Sequence, residues 1–159
     1  MGDGLNNILV GVISDTHGLL RPEAVRALRG SDLILHAGDI GDPDIIGTLR
    51  EIAPVFPVRG NVDTGSWAMK LPATEIVEVG DVLFYILHDQ AELDLDPGTA
   101  GVSAVVFGHS HQPSIETRGD VLFLNPGSAG PRRFKLPVTV ARVLVSGREL
   151  SPDIIALDV

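Results

Sequence analysis

The run Ile8-Leu9-Val10-Gly11-Val12-Ile13-Ser14-Asp15-Thr16-His17 sets the pattern of the chain: a short β-branched apolar segment that ends on metal-competent side chains. Continuous apolar runs of this length read as buried strands of a parallel sheet. The same ending recurs four times. Leu33 to Gly38 leads into Asp39, Val55 to Gly60 into Asn61, Val82 to Leu87 into His88, and Val105 to Gly108 into His109-Ser110-His111. In open α/β sheets, ligands gather at the carboxyl ends of strands, so residues about 20 to 27 positions apart in sequence can meet there.

The segments between these runs alternate accordingly. Pro22 at a first helical position opens a helix through Arg29, and Asp42-Pro43 reads as a cap and first turn for a helix through Glu51. With strands at Ile8–Ile13, Leu33–His36 and Val55–Val58, the first half is β-α-β-α-β, which implies parallel strands joined by right-handed crossovers. The second half is richer in strands. Thr74–Val79 and Val82–His88 flank the turn Gly80-Asp81, followed by a run at Val102–Phe107. Ser114–Thr117 and Val121–Leu124 flank Arg118-Gly119-Asp120, and Leu136–Val145 and Ile154–Leu157 flank Ser146-Gly147. So many strands exceed one sheet; two sheets face to face with helices outside is the economical layout. No repeat, linker or low-complexity segment divides residues 1–159, so a single domain is expected.

Composition narrows the function. The 159 residues are 44% hydrophobic and 21% charged, with 18 Gly and 11 Pro, a globular profile rich in turns. The absence of cysteine excludes disulfides and thiolate metal sites. A formal charge of −9 opposes binding to nucleic acid polymers or anionic membranes. Met1 to Asn6 lacks the basic-then-apolar order of a secretory signal, Asn6 stands where a myristoylation signal needs Ser or Thr, and no apolar run would cross a bilayer. A cytoplasmic location is the default expectation.

Asp15, His17, Asp39, Asn61, His88, His109 and His111 offer only nitrogen and oxygen donors, which suits borderline divalent ions, whereas a Ca²⁺ site would use oxygen alone. Seven donors exceed the needs of one ion with room left for water, and two ions sharing a carboxylate fit better. His109 and His111, two apart, would share a face on an extended strand, each serving a different ion. Two ions about 3.5 to 4 Å apart can clamp a phosphoryl group and generate hydroxide near neutral pH. Singly, Asp15 or Asp39 could cap a helix, His88 could be a core residue and Asn61 a turn residue. The placement of four of five histidines at strand ends argues against that for the set. His36, inside a strand, reads as a packed or supporting histidine, and Asp42 as a cap.

At these positions the sequence resembles the calcineurin-like metallophosphoesterase superfamily, and within it the small single-domain bacterial and archaeal phosphodiesterases. The motifs are Asp15-Thr-His17, Gly38-Asp39, Gly60-Asn61-Val-Asp63, His88, Gly108-His109-Ser-His111 and Asn125-Pro-Gly-Ser128. The resemblance implies an α/β fold, a four-layer αββα sandwich of two mixed β-sheets flanked by helices. It implies one ion held by Asp15, His17, Asp39 and His111. A second would be held by Asp39, Asn61, His88 and His109, with Asp39 bridging. Asp39, Asn61 and His109 are the candidate catalytic residues. Mn²⁺ is the foremost cofactor, with Ni²⁺, Co²⁺, Fe²⁺ and Zn²⁺ as alternatives. The expected activity is hydrolysis of a small phosphate ester, a diester rather than a monoester, by a hydroxide bridging both ions.

Two departures stand out. Val62 occupies the position where larger members carry a histidine, so no residue-borne acid protonates the leaving group there. Asp89 follows His88 where the family tends to have Gly, and could tune the second ion, orient His88 or face solvent. The Asn125–Ser128 segment reads as a structural turn beside the site. Arg21, Arg59, Arg132 and Arg133 could reach substrate, and Trp67, in the loop from Thr64 to Lys70, could wall a base or pack inside. A rival reading is a scaffold resembling a eukaryotic retromer subunit, with residual metal binding. Terminal strand pairs could also supply a homo-oligomer edge.

Overall fold

A computed structural model describes residues 7–159; the amino-terminal segment on which the reading of no signal rests lies outside them. Among the described residues, ten strands form two five-stranded mixed sheets. In the first, β1 (Asn7–Ile13), β2 (Leu33–His36) and β3 (Val55–Pro57) run parallel, with β9 (Thr139–Ser146) and β10 (Glu149–Ala156) antiparallel beyond β1. In the second, β5 (Val82–Leu87), β6 (Ala104–Val106) and β8 (Val121–Asn125) are parallel. Here β4 (Thr74–Val79) and β7 (Ser114–Arg118) form the antiparallel edges.

The two-residue period of each strand sorts its side chains between layers. Val10 and Val12 of β1 and Leu35 of β2 meet Phe84 and Ile86 of β5 and Leu124 of β8 in the core between the sheets. Ile13 and Ile34 point the other way, against Ala24 and Leu28 of α1 (Pro22–Leu28) and Ile45, Ile46 and Leu49 of α2 (Pro43–Arg50). Each such fully buried side chain contributes roughly 1.5 to 3 kcal/mol of transfer free energy, so both interfaces hold the sheets firmly. The outer face of the second sheet is covered differently. Tyr85, Leu87, Val105 and Phe123 pack with Val102, Leu93 and Leu95, whose segment holds only a 3-10 turn, Gln90–Glu92. The fourth layer is thus mostly loop, because this segment has Pro97, Gly98 and Gly101 where a helix needs a continuous apolar stripe.

Other differences are local. Pro57 ends β3 one residue early, β9 starts at Thr139 rather than near Leu136, and β10 is twice as long as its apolar stretch because its edge position tolerates Pro152. Residues Ser66–Met69 form a short helix, α3, that turns Trp67 into partial burial against the first helical layer. The packing reading of Trp67 is the one observed. Both sheets therefore present the carboxyl ends of three parallel strands, and the polar residues follow those ends.

Candidate metal centre

The left-handed backbone region, unfavourable for bulky side chains but tolerated by Asp, Asn and His, marks the site. Among the described residues, six non-glycine positions adopt it: Asp15 (φ 56°), His17 (46°), Asp39 (56°), His109 (72°), His111 (64°) and Phe134 (55°). The first five are expected donors. Each sits where the chain leaves a strand and must turn a side chain back over the sheet end, a conformation costing of order 1 kcal/mol that the surrounding packing imposes.

Hydrogen bonds fix which atoms are left to bind a ligand. Asp15 is fully buried; its Oδ2 accepts from the Ser14 hydroxyl (2.7 Å) and the His109 N–H (3.2 Å), while Oδ1 has no hydrogen-bond partner. That orphaned oxygen lies 3.4 Å from His111 Nε2, 3.7 Å from His17 Nε2 and 3.9 Å from His88 Nε2. Asp39 Oδ1 accepts from the Val62 N–H (3.1 Å), and Oδ2 lies 3.1 Å from His88 Nε2 and 3.6 Å from His17 Nε2. His88 Nδ1 donates to the Ala37 carbonyl (2.8 Å), so a neutral His88 aims its Nε2 lone pair at carboxylate oxygens. Two acceptors that close repel unless a proton or cation stands between them.

The donor set fits divalent ions. Ligand atoms about 2.1 Å from a common ion lie about 3.0 to 3.4 Å apart, in octahedral or tetrahedral geometry respectively. The His17 Nε2 to His111 Nε2 distance is 3.3 Å, and two donor groups gather ligand atoms within 4.8 Å of one another: Asp15 with His17 and His111, and Asp15 with Asp39 and His88. Asp15 Oδ1 and Asp39 Oδ2 both lie between His17 and His88, so two central carboxylate oxygens are available.

His109 and His111 do not share a face. Both are left-handed rather than extended, so His111 turns inward beside His17, with ring centroids 5.2 Å apart. His109 stands 49% exposed with its ring edge-on to His88, and its Nε2 is 3.8 Å from Asp89 Oδ2. Asn61 is also exposed and lines, with Arg59, His88, Asp89, Glu92 and His109, a cleft of about 250 Å³. Asp89 faces His109 there, and its other oxygen caps the 3-10 turn through Ala91 N–H (3.0 Å).

Protons report the same field. The Asp15 carboxylate, 3.7 Å from its Nε2, raises the pKa of His17 against the effect of burial, and Asp39 adds to the rise. Burial opposes charge on His88 too, but Asp39, Asp15 and the Ala37 carbonyl together raise its pKa. Asp39 stays ionised despite burial, because His88 and the Val62 N–H stabilise its anion. Burial lowers the pKa of His111, with Arg133 and His17 adding repulsion. The two carboxylates thus favour positive charge at the centre, the role a metal ion would fill.

Three supporting groups join the loops. His36 is fully buried, accepts from Gly38 N–H at Nδ1 (3.1 Å), and therefore donates from Nε2 to Thr16 Oγ1 (3.1 Å), which donates to Ile40 O (2.8 Å). The Asn125 amide donates to Gly108 O (3.1 Å), and Ser128 Oγ donates to Asp15 O (3.0 Å), so the Asn125–Ser128 turn ties the His109 and Asp15 loops together. The Asp63 carboxylate, which drew no role from the sequence, accepts backbone N–H bonds from Ile40, Gly41 and Gly60. Gly60 and Gly108 have no room for a side chain: a Cβ at either would strike a carboxylate, Asp39 in one case and Asp15 in the other.

Burial depresses the pKa of His36 to about 4. An unfolded chain takes up that proton near 6.5. The resulting stability is complete above pH 6.5 and is lost as the pH falls towards 4. Urea unfolding of metal-free protein should therefore show wild type losing about 2.5 kcal/mol more between pH 7 and 4.5 than His36→Gln. Equal slopes would show that the ring is not held neutral.

A model of the calcineurin-like phosphoesterase superfamily domain matches residues 8–148. The chain belongs to that superfamily. This calcineurin-like phosphoesterase is 36% identical over 160 residues to a probable metallophosphoesterase of Methanothermobacter thermautotrophicus, covering 93% of the chain and 92% of the relative. Its fold is like that of a structurally characterised archaeal phosphodiesterase (TM-score 0.78, 23% identity, covering 93% of this chain and 100% of that one). It is also like Vacuolar Protein Sorting 29 from Cryptosporidium parvum (TM-score 0.75, 19% identity, 94% and 97%). Family membership supports metal-dependent hydrolase chemistry, and the structure holds candidate metal-ligand groups. No helix among the described residues is long and apolar enough to cross a membrane.

Proposed function

We propose that this chain is a phosphodiesterase using two divalent ions, Mn²⁺ foremost. The observation that carries the reading is the pair of buried carboxylate oxygens, Asp15 Oδ1 and Asp39 Oδ2, flanked by His17 and His111 on one side and His88 on the other. Asp15, His17, Asp39 and His111 would hold one ion; Asp39, Asn61, His88 and His109 would hold the other, with Asp39 shared. When bound, the ions would supply Lewis-acid charge to the phosphate and a water that is nucleophilic at neutral pH.

The residues themselves set the rest. The Ala37 carbonyl keeps His88 in the tautomer with a free Nε2, and Ser14 and the His109 N–H keep Asp15 turned inward. Asn61 and His109 are exposed in the cleft on the His88 side of the centre. Val62 offers no proton to the leaving group, so esters with good leaving groups react fastest. Three of the four arginines are committed to backbone carbonyls: Arg21 to Gly130, Arg59 to Leu71, and Arg132 to Leu136 and Val159. Arg133 remains, while Asp89 and Glu92 line the other cleft. Positive charge this sparse, set against Asp89 and Glu92, suits a singly charged diester better than a dianionic monoester.

Metal-stripped protein refilled with Mn²⁺, Ni²⁺, Co²⁺ or Zn²⁺ should hydrolyse diesters at least about tenfold faster than monoesters with the same leaving group, roughly 1.4 kcal/mol in the barrier. No turnover of any ester by any refilled sample would sink the reading. The likeness to a vacuolar protein sorting protein supports a second one, a binding scaffold, which metal-dependent turnover would exclude.

A further inference from the structure

A second cavity, of about 460 Å³, opens on the other side of the centre, lined by His17, His111, Pro131, Arg132, Arg133 and Phe134. Phe134 is 88% exposed and left-handed (φ 55°). An aromatic ring in solvent on an unfavourable backbone is held against both its burial and its conformational preference. The loop is pinned on both flanks. Arg21 bonds Gly130 O (3.3 Å), Arg132 bonds Leu136 O (3.4 Å) and Val159 O (3.2 Å), and Leu136 N–H bonds Arg133 O (3.1 Å). Among the described residues, Arg133 has no ion pair or hydrogen bond from its side chain, although its charge is felt at His17 and His111. The loop thus displays one free cation and one free aromatic face beside two metal-competent histidines.

We propose that Arg133 and Phe134 form a subsite for the aryl or heteroaryl substituent of a phosphoester whose phosphate lies against His17 and His111. This rests on the phosphoesterase reading above. Arg133 neutralises a non-bridging oxygen, and Phe134 stacks on the ring, which every aromatic group permits irrespective of its edge chemistry. Specificity would therefore be for an aromatic substituent as a class.

Phenylphosphonate and methylphosphonate, which differ only in the ring and cannot be hydrolysed, test this by calorimetric titration of the Mn²⁺-loaded protein. The wild type should bind the phenyl compound about three- to tenfold more tightly. Phe134→Ala should bring that ratio to about one and Phe134→Trp should keep it; both fold, since the side chain is exposed. Arg133→Ala should weaken both ligands about tenfold without changing the ratio. Equal affinities in the wild type, an unchanged ratio in Phe134→Ala, or no binding of either ligand overturns the subsite. Ester turnover is read separately. Hydrolysis without phenyl preference overturns the subsite alone, and phenyl preference without hydrolysis of any ester overturns the enzyme reading alone.

Discussion

Asp39→Asn should lower kcat/KM by at least about 10³-fold, roughly 4 kcal/mol of barrier, while leaving the fold intact. The two halves of that statement have separate causes. Asp39 Oδ2 lies between His88 Nε2 (3.1 Å) and His17 Nε2 (3.6 Å), the position a shared carboxylate needs. An amide there removes one negative charge from between two proposed cations, and its NH₂ group donates to the His88 lone pair, closing the space an ion would take. The other oxygen accepts from the Val62 N–H (3.1 Å), and an amide carbonyl can accept that bond equally well. Metal-free Asp39→Asn should therefore melt at or above the wild-type temperature once the pH exceeds the titration of His88, where the wild-type lone pair faces a carboxylate. The His88 ring should also titrate at lower pH, since Asp39 contributes to holding its pKa up. Kinetics, metal content by mass spectrometry and histidine NMR titration check these points. A variant that keeps a tenth of wild-type activity, or still binds two Mn²⁺ ions, would show that Asp39 is not shared.

What could be read from the sequence was the part governed by period and order. Apolar runs ending on Asp, Asn or His reveal which strands are parallel and which residues meet at their ends, because side-chain alternation and crossover handedness leave few other arrangements. Aim was harder to read than position. The spacing of His109 and His111 gives a shared face only if the backbone is extended; with both left-handed, one ring turns inward to His17 and the other outward to Asp89. The helical fourth layer was half legible. Leu93, Leu95 and Val102 do cover the second sheet, but as loop. The pairing of Arg133 with Phe134 was out of reach for a different reason. Four arginines look alike in a sequence until hydrogen bonds show that three are occupied, and no composition rule separates a buried Phe from one held out in solvent.

Asp63, although part of the Gly60–Asp63 motif, drew no role from the sequence because an Asp just beyond a Gly-Asn turn looks like another turn residue, and its removal should have the largest effect on stability. Its side chain is 2% exposed, and its two oxygens accept from Gly60 N (2.9 Å), Ile40 N (3.0 Å) and Gly41 N (3.0 Å). Those donors belong to two loops, the one carrying Asp39 and the one carrying Asn61. The carboxylate is thus the buried peg that holds one donor loop against the other. Asp63→Ala leaves three inward-facing N–H groups without an acceptor, each costing about 1 to 3 kcal/mol, for a loss of about 4 kcal/mol and a fall in Tm of roughly 8 to 16 °C. Asp63→Asn keeps one acceptor oxygen but turns an NH₂ group towards an N–H, and should lose about half as much. Metal affinity should fall about 10- to 100-fold in both, as for other groups that orient ligands without touching the ion. What separates Asp63 from a ligand is rescue: saturating Mn²⁺ should restore most of kcat to Asp63→Asn, because every donor atom is still present, whereas no Mn²⁺ concentration should restore Asp39→Asn. If Asp63→Asn binds Mn²⁺ as tightly as wild type, the two loops are held by something other than this carboxylate.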